Sequence, residues 1–309
     1  MRQIKTRTVS SITYPLNSNN NLNPNFVSGF IDAEGCFHIS MTKNSNLKLG
    51  VNVRAKFSIH LHLKDLHLLC KLKEFFNVGT IIKSKKSANF TVDRIDDLVN
   101  IIIPHFNKYP LQSAKSIDFE LWCKCVEVIK SKEHLTLKGI EKISKFKSAL
   151  NKGLPEHLKK IFPGTMERPK FVVSTEPLSP YWVSGFSEGD GSFFVSISDK
   201  TKQIRMFYSI KLNNRETPLI LKLQEFFNGM GSIVHDADQN IVQFNIVSIK
   251  NINEGLVPQF DTYSFVGNKL ANYLIWKEIL KLVNSKAYLT PEGLEKIKDL
   301  KSTLNKWDI

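Results

Sequence analysis

The chain carries two copies of one sequence pattern, and this internal repeat limits the folds that it can adopt. The segment VSGFIDAEG at 27–35 is answered by VSGFSEGDG at 183–191. Later anchors recur at one offset, because 263 − 109, 269 − 115 and 276 − 122 all equal 154: Tyr109 and Tyr263, Lys115 and Lys269, Trp122 and Trp276. Each half of the 309-residue chain is long enough to bury its own core. We therefore predict two tandem domains of the same fold.

Composition and the repeat together suggest four segments. We predict a polar N-terminal extension at 1–22, an N-terminal repeat at 23–152, a linker at 153–178 and a C-terminal repeat at 179–309. The linker is rich in Pro, Gly and charged residues, with room for at most one short helix. The extension contains basic residues and no acidic ones, which is weakly typical of a transit peptide. A disordered polar leader explains that extension equally well.

The hydrophobic periodicity is similar in the two copies. A short helix starts at Pro24 or Pro180, and the segment 51–61 then alternates apolar and polar residues as a half-buried strand does. Helical spacing follows over 65–76, a second strand pair over 79–92, and three helical stretches up to about 151. The predicted class is α+β, with two αββαββα repeats that each pack helices on one side of an antiparallel sheet.

The charge balance points to a polyanionic partner. The chain has 43 Lys and Arg against 29 Asp and Glu, a net charge of +14. No run of about 18 apolar residues is present, so we expect no membrane-spanning segment. The four cysteines are too few and too scattered for a disulfide framework or a zinc site, and we predict reduced cysteines that mostly pack in the interior.

Small residues lie four apart in the first helix of each copy and therefore share one helix face. They are Gly29, Ala33, Gly185 and Gly189. Such a stripe lets two helix backbones approach closely, so we predict that the two helices pack against each other. Packing of each stripe against its own sheet is the alternative. Gly35 and Gly191 follow the helices, where a left-handed residue is expected.

Each of these helices ends in a carboxylate, which is an unfavourable place for negative charge. Glu34 and Asp190 face the negative end of the helix dipole, and Asp32 and Glu188 add to the charge. If the helices pair, Glu34 and Asp190 meet, and two like charges need a cation or a proton between them. Oxygen ligands favour Mg²⁺, which suits attack of water on a phosphodiester. The alternative is two exposed acidic helix ends.

The two nonapeptides resemble the paired motifs of single-chain LAGLIDADG homing endonucleases, and the similar order extends over nearly all of 23–309. The resemblance implies a monomeric pseudo-two-fold saddle whose two sheets lie in consecutive major grooves of double-stranded DNA. It further implies metal-dependent cleavage of both strands at a long non-palindromic target. Short 3′ overhangs and intron homing go with this activity. Mg²⁺ is the expected cofactor, and Mn²⁺ or Ca²⁺ could occupy the same sites.

The resemblance also implies roles for individual residues. The metal ligands would be the side chains of Glu34 and Asp190 and the carbonyls of Ala33 and Gly189. Lys115 and Lys269 match basic residues that act near the active centre in the family, although a phosphate clamp or a helix-surface charge is an alternative. The chain departs from the family at Leu61 and Leu212, where a polar, water-organising residue often ends the second strand. That departure bears on the cleavage rate more than on binding.

Strand alternation then predicts which side chains face the groove. In the first repeat they are Cys36, His38, Ser40, Thr42, Asn52, Arg54, Lys56, Ser58 and His60. In the second they are Ser192, Phe194, Ser196, Ser198, Arg205, Phe207, Ser209 and Lys211. Arg and Lys favour guanine edges and Asn favours adenine. Each could instead contact a phosphate or remain solvated.

Two further functions remain open beside a DNA endonuclease. One is an RNA-binding group I intron maturase, which can share the scaffold and coexist with cleavage. The other is a catalytically inactive DNA-binding derivative, which loss of either acid would favour. Both acids are present, so the sequence favours cleavage. The bias toward Asn, Lys and Ile suggests an AT-rich genome, as expected of a mitochondrial intron.

Overall fold

The computed structural model describes residues 22–198, 200–201 and 203–305. The predicted N-terminal extension therefore lies outside the described residues, except for Leu22, which is buried in the core of the first repeat. The remainder follows the predicted order, with two αββαββα units in tandem.

The first repeat opens with helix α1, whose N-terminus is capped by the Asn23 side chain accepting from the backbone N–H of Asn25. Its elements are α1 (Pro24–Glu34), β1 (Gly35–Lys43), β2 (Val51–His62), α2 (Leu66–Phe76), β3 (Thr80–Lys83), β4 (Ser87–Val92), α3 (Ile95–Asp97), α4 (Ile103–Lys108), α5 (Lys115–Lys130) and α6 (Leu137–Ala149). A π-helical turn, Leu98–Ile102, joins α3 to α4.

The second repeat has the same elements after a short linker helix, α7 (Glu156–Lys159). They are α8 (Pro180–Asp190), β5 (Gly191–Ile197), β6 (Ile204–Asn213), α9 (Thr217–Phe226), β7 (Ser232–Asp236), β8 (Ile241–Ile246), α10 (Ile249–Asn251), α11 (Val257–Thr262), α12 (Lys269–Asn284) and α13 (Pro291–Thr303). Its π-helical turn, Ile252–Leu256, recurs at the same place.

Each repeat contains one four-stranded antiparallel sheet. The strand orders are β1-β2-β4-β3 and β5-β6-β8-β7, so the two sheets have the same topology. Alternate residues of β2 and β6 are buried against the helices, while the residues between them form a polar face. Apolar side chains of each sheet and its helices form one core per repeat. The predicted fold class is confirmed.

The linker packs against the first repeat over 154–171 and reaches the second repeat at Leu178. Leu154, Leu158 and Phe162 are buried in the core of the first repeat. Arg168 donates from Nη1 to Asp118 Oδ1 at 2.6 Å and from Nη2 to Asp118 Oδ2 at 3.0 Å, beside the start of α5. In the second repeat the same place is taken by Asn272, which accepts from the backbone N–H of Asn305 at 3.1 Å. The linker arginine thus neutralises a carboxylate that occurs in one repeat only.

Removing that arginine should destabilise the protein. We expect Arg168→Ala to lower the free energy of unfolding by about 2–4 kcal/mol, because it leaves the buried Asp118 carboxylate without its cation. Adding Asp118→Asn should recover most of the loss, because it copies the neutral arrangement of the second repeat. Urea unfolding of the two variants measures both effects, and equal stability of Arg168→Ala and the parent would contradict the role of this ion pair.

A half-buried histidine of α4, His105, occupies the place that a buried glutamine, Gln259, occupies in α11. The Ser28 hydroxyl donates to the Tyr109 carbonyl at 2.6 Å, so the Nε2–H of His105 must donate to Ser28 Oγ, 3.2 Å away. In the second repeat Gln259 Nε2 donates to Ser184 Oγ at the same distance, 3.2 Å. Burial among aromatic rings lowers the pKa of His105 to about 4.

This histidine should make stability depend on pH. The neutral His105 side chain makes its full contribution to the free energy of unfolding above pH 6.5. This contribution is lost as the pH falls toward 4, because the unfolded chain then binds a proton that the folded chain excludes. At pH 4.5 we expect a loss of roughly 2 kcal/mol relative to pH 7 from this group. His105→Gln keeps the hydrogen bond and cannot titrate, so its unfolding free energy should fall less between these pH values. If the unfolding free energies of parent and variant changed identically with pH, His105 would not be the cause of the pH dependence.

The remaining predictions about burial had mixed outcomes. All four cysteines are free, with Cys125 buried and Cys123 half-buried. The prediction of interior packing is wrong for Cys36 and Cys70, which are exposed. Cys36 lies on the polar face of β1, and Cys70 lies on the outer face of α2. No helix in the described part of the chain is long and apolar enough to cross a membrane.

Candidate active site

Helices α1 and α8 pack against each other with their backbones in contact. A Cβ atom added to Gly29 would lie 2.1 Å from the carbonyl oxygen of Trp182, and one added to Gly185 would lie 2.0 Å from that of Phe26. A Cβ on Gly189 would lie 2.4 Å from the Cβ of Ala33. The predicted mutual packing of the two small-residue stripes is confirmed.

The glycines after the helices are needed for a different reason from the one predicted. Gly35 has φ −75° and Gly191 has φ −73°, so neither is left-handed and both start strands directly. A Cβ on Gly35 would lie 2.7 Å from the Ile31 carbonyl oxygen, and one on Gly191 would lie 2.5 Å from that of Ser187. The helix turns into the strand so tightly that the preceding turn excludes a side chain.

Glu34 and Asp190 end the two helices at the junction of the repeats. Both are half-buried, and a Cβ on Gly189 would lie 3.3 Å from Glu34 Oε1, which shows how near the two helix ends are. Burial raises the pKa of Glu34, and burial together with the Glu34 carboxylate raises the pKa of Asp190 to about 6. The two helix ends therefore lie close together, near enough for the Glu34 charge to act on Asp190, and each carboxylate is costly to keep charged.

Two lysines point at these helix ends. Lys115 Nζ donates to the carbonyl oxygens of Ile31 at 3.0 Å and of Ala33 at 3.1 Å, and Lys269 Nζ donates to that of Gly191. The two contacts are not equivalent, because Lys115 binds the last turn of α1 while Lys269 binds the first residue of β5. Burial lowers the pKa of both lysines, and carboxylates around them oppose that shift. Each ammonium also offsets the negative dipole end of a motif helix.

Asp32 and Glu188 have roles that the sequence did not indicate. Asp32 accepts from the backbone N–H groups of Gln112 at 2.6 Å and Ser113 at 3.2 Å, just before α5. Glu188 accepts from three backbone N–H groups at the start of α12, of Val266, Gly267 and Lys269. Both carboxylates thus bind the positive ends of other helices. The expectation that they only worsen charge repulsion is wrong.

A second pair of carboxylates links the two repeats. Glu216 Oε2 accepts from the backbone N–H of Ala114 at 3.0 Å, and Asp65 Oδ1 accepts from Asn268 Nδ2 at 2.8 Å. Ala114 and Asn268 immediately precede the two lysines. The helix bearing each lysine is therefore held by one carboxylate from its own motif helix and by one from the other repeat.

A cavity of about 190 Å³ opens beside Glu34 between the repeats. It is lined by Phe30, Glu34, Leu61, Lys64, Asp65, Leu68, Glu188, Gly189, Asn268, Lys269 and Asn272. Leu61 thus lies at the site, on the buried side of β2, while Leu212 is half-buried in the second repeat. The apolar side chain of Leu61 therefore lines the same cavity as Glu34.

The predicted groove residues share one face of each sheet. Cross-strand pairs place Cys36 opposite Ser58, His38 opposite Lys56, and Ser40 opposite Arg54. The second sheet pairs Ser192 with Ser209, Phe194 with Phe207, and Ser196 with Arg205. Thr42 and Asn52 form a further pair, and His60 and Lys211 continue the faces of β2 and β6.

One of these predictions needs correction. Ser198 lies beyond β5, which ends at Ile197, and its Oγ accepts from the backbone N–H of Thr201 at 3.2 Å. Strand alternation does not apply in this turn, so it cannot place Ser198 on the sheet face.

Sequence reasoning also missed the outer half of each polar face. The strands β3, β4, β7 and β8 add further side chains in register with those of β2 and β6. They are Thr80, Ile82, Asn89 and Thr91 in the first sheet and Ser232, Val234, Gln243 and Asn245 in the second. The alternation within β4 and β8 was the signal that could have found them.

Comparison with known proteins decides the family. A model of LAGLIDADG endonucleases matches residues 27–126 and again residues 183–280. The chain belongs to the LAGLIDADG endonuclease family. Both matched stretches begin inside a motif helix and run through the helix that carries Lys115 or Lys269, so this family pattern covers the whole site described above.

Individual LAGLIDADG relatives are similar over most of the chain. It is 36% identical over 297 residues to "Probable intron-encoded endonuclease 2" of Neurospora crassa, covering 92% of this chain and 65% of that protein. Among solved structures, the chain is similar to I-SmaMI bound to uncleaved DNA target in the presence of calcium ions. The two sequences are 36% identical and the TM-score is 0.88, covering 93% of this chain and 100% of that one. The structure of I-CpaMI bound to uncleaved DNA is 38% identical, with a TM-score of 0.86, and covers 92% of this chain and 99% of that one.

The donor set of the site fits a hard divalent cation. Glu34 and Asp190 offer carboxylate oxygens, and Mg²⁺ is typically held by one or two carboxylates and several waters. The carbonyl of Ala33 already accepts from Lys115, and it has a second lone pair. Within 22–198, 200–201 and 203–305, no group of three or more His, Cys, Asp or Glu could hold a metal. The site therefore fits a divalent cation that keeps several waters better than one enclosed entirely by protein ligands.

Proposed function

We propose that the chain is a site-specific endonuclease for double-stranded DNA that hydrolyses phosphodiester bonds with a divalent metal. The observation that carries this proposal is the meeting of Glu34 and Asp190 between two sheets with polar faces. Two similar faces side by side suit two consecutive turns of one groove. Paired acids at their junction suit cleavage of both strands at the centre of the bound site.

The polar faces would bind the DNA. Arg54, Lys56, Arg205 and Lys211 supply positive charge, and the hydroxyl and amide side chains between them supply hydrogen bonds to base edges. The two faces differ, since His38 and Lys56 occupy the places of Phe194 and Phe207. A target bound by unlike halves is long and non-palindromic.

Mg²⁺ is the proposed cofactor, with Glu34, Asp190 and the carbonyls of Ala33 and Gly189 as its ligands. When bound, it would activate water and neutralise charge on the phosphate. The ammonium groups of Lys115 and Lys269 lie beside the carboxylates and would offset the charge that a phosphate brings to the site. The buried carboxylates of Asp32 and Glu188 hold the helices that carry these lysines.

The relatives support a biological setting for this activity. Intron-encoded endonucleases of fungi are similar to this chain over much of its length, which supports intron homing as the purpose of cleavage. We infer a mitochondrial origin and a monomeric enzyme that leaves short 3′ overhangs. Both halves of the site come from one chain, so a second copy is not needed to complete it.

Cleavage of a library of intron-insertion junctions tests this function. The protein is incubated with the duplexes and Mg²⁺, and the ends of any products are sequenced. We expect one junction to be cut on both strands with short 3′ overhangs, and EDTA to stop the reaction. Affinity should fall steeply with salt concentration, because many phosphates are contacted.

Other outcomes would identify the alternatives. Tight binding of one junction without cleavage in any divalent metal would indicate an inactive DNA-binding derivative. Tight binding of a cognate intron RNA with no DNA cleavage would indicate a maturase. Cleavage together with RNA binding would show that both activities coexist, so the RNA arm is run on the same preparation.

A further inference from the structure

Two exposed aliphatic side chains occupy equivalent places on the polar faces of the two sheets. Ile82 of β3 is 66% exposed and Val234 of β7 is 53% exposed. In the first sheet Ile82 pairs with Asn89, which pairs with His60. In the second sheet Val234 pairs with Gln243, which pairs with Lys211. Each therefore ends a row of polar side chains that crosses its sheet.

Neither residue can be explained by core packing. The preceding residues, Ile81 and Ile233, pack against the two cores, and strand alternation turns Ile82 and Val234 to the opposite face. A single exposed aliphatic residue is ordinary on a protein surface. Its recurrence at one register position in both repeats, amid hydrogen-bonding side chains, indicates a feature of the ligand that is apolar and occurs in both halves.

An apolar pair also lies on the second face, without a counterpart on the first. Phe194 is 49% exposed, and its ring centroid is 5.8 Å from that of Phe207. The first repeat has His38 and Lys56 at these positions. The ligand of the second half therefore carries an apolar feature where the ligand of the first half carries hydrogen-bonding groups.

The major groove of DNA offers one such apolar feature, the C5-methyl group of thymine. RNA of the same sequence lacks that methyl, and its deep, narrow major groove does not admit side chains. We propose that Ile82 and Val234 each contact a thymine methyl at mirrored positions of the target, and that Phe194 and Phe207 contact a further thymine methyl in the second half only. This inference rests on the proposed DNA-binding function.

The inference predicts a partial symmetry in an otherwise asymmetric target. Thymines should occur at two positions related by the pseudo-two-fold axis of the protein, because Ile82 and Val234 occupy one register position in the two sheets. One further thymine should occur in the second half, at the position that faces Phe194 and Phe207. The mirrored position in the first half should instead present an acceptor-rich edge such as guanine, since it faces His38 and Lys56.

Methyl removal tests the inference directly. Duplexes are selected from a randomised library with the protein in Ca²⁺, and each thymine of the selected target is replaced in turn by deoxyuridine. We expect about a fourfold loss of affinity at each contacted thymine, which is the value of one buried methyl at about 0.8 kcal/mol. Ile82→Ala should lose this sensitivity at the mirrored thymine of the first half alone, and Val234→Ala at the mirrored thymine of the second half alone. Substitution of an exposed side chain should leave the melting temperature near that of the parent, which confirms that the variants are folded.

The outcomes separate this inference from the function on which it rests. A selected target that is cleaved in Mg²⁺ but binds equally well with deoxyuridine everywhere would overturn the inference alone. The absence of any mirrored pair of sensitive thymines, or sensitivity at a mirrored thymine that persists in the alanine variant of its own half, would overturn it as well. Failure to select or cleave any duplex would overturn the proposed function and the inference together.

Discussion

Glu34→Gln is expected to cleave the target at least about a thousandfold more slowly than the parent, while binding it no less tightly. Asp190→Asn is expected to behave in the same way. Each change removes one negative charge from the place where the two motif helices end, so a divalent cation bound there would lose a charged ligand. Affinity for DNA should not fall, because the change also removes a repulsion between carboxylate and phosphate.

Single-turnover cleavage rates and equilibrium binding, measured on the same duplex, separate these two effects. Glu295→Gln is the matched control, since it removes the same charge from an exposed residue of α13 remote from the site. The control should cleave at the rate of the parent. A double variant, Glu34→Gln with Asp190→Asn, that still cuts both strands would remove these acids from the mechanism.

Gly185→Ala is expected to destabilise the protein by about 3 kcal/mol or more, although alanine is the better helix former. Helix propensity alone would stabilise this variant by about 1 kcal/mol. Helix propensity and packing therefore predict changes of opposite sign in the free energy of unfolding. Packing should prevail because the new Cβ would lie 2.0 Å from a backbone carbonyl oxygen, and backbone cannot move aside as a flexible side chain can. The two motif helices must separate, which also moves Glu34 away from Asp190.

Urea unfolding measures this effect, with Gly164→Ala as its control. A Cβ on Gly164 meets no atom within 4 Å, and this residue does not have a positive φ, so its substitution should be neutral or slightly stabilising. Gly29→Ala should resemble Gly185→Ala, because its Cβ would lie 2.1 Å from the Trp182 carbonyl oxygen. A Gly185→Ala protein as stable as the Gly164→Ala control would show that the helices are not in backbone contact.

Features that depend on local spacing were predictable from the sequence. The period-2 alternation of 51–61 predicted the polar face of β2, and the four-residue spacing of Gly29 and Ala33 predicted the packed face of α1. The meeting of Glu34 and Asp190 followed from these features and the repeat. These features depend only on the spacing of residues within one helix or strand and on the packing of two similar repeats against each other.

Features that depend on distant partners were not predictable in this way. Asp32 binds backbone groups about 80 residues later, and Glu216 binds Ala114 of the other repeat. A carboxylate at a helix end looks unfavourable in isolation, because the compensating N–H groups belong to another element. The conformation of Gly35 was mispredicted for a related reason, since a helix that enters a strand directly needs no left-handed residue to end it.

The pairing of α1 with α8 also has a consequence for how the chain is made. Glu34 and Asp190 are 190 − 34 = 156 residues apart. At about 5–20 residues per second, ribosomal synthesis leaves the small-residue face of α1 uncovered for on the order of ten seconds. During that interval, the uncovered face of a nascent first repeat can meet the α8 helix of a neighbouring chain instead of its own. Slow translation or crowded polysomes would therefore lower the yield of correctly paired enzyme without any change in the stability of the finished protein.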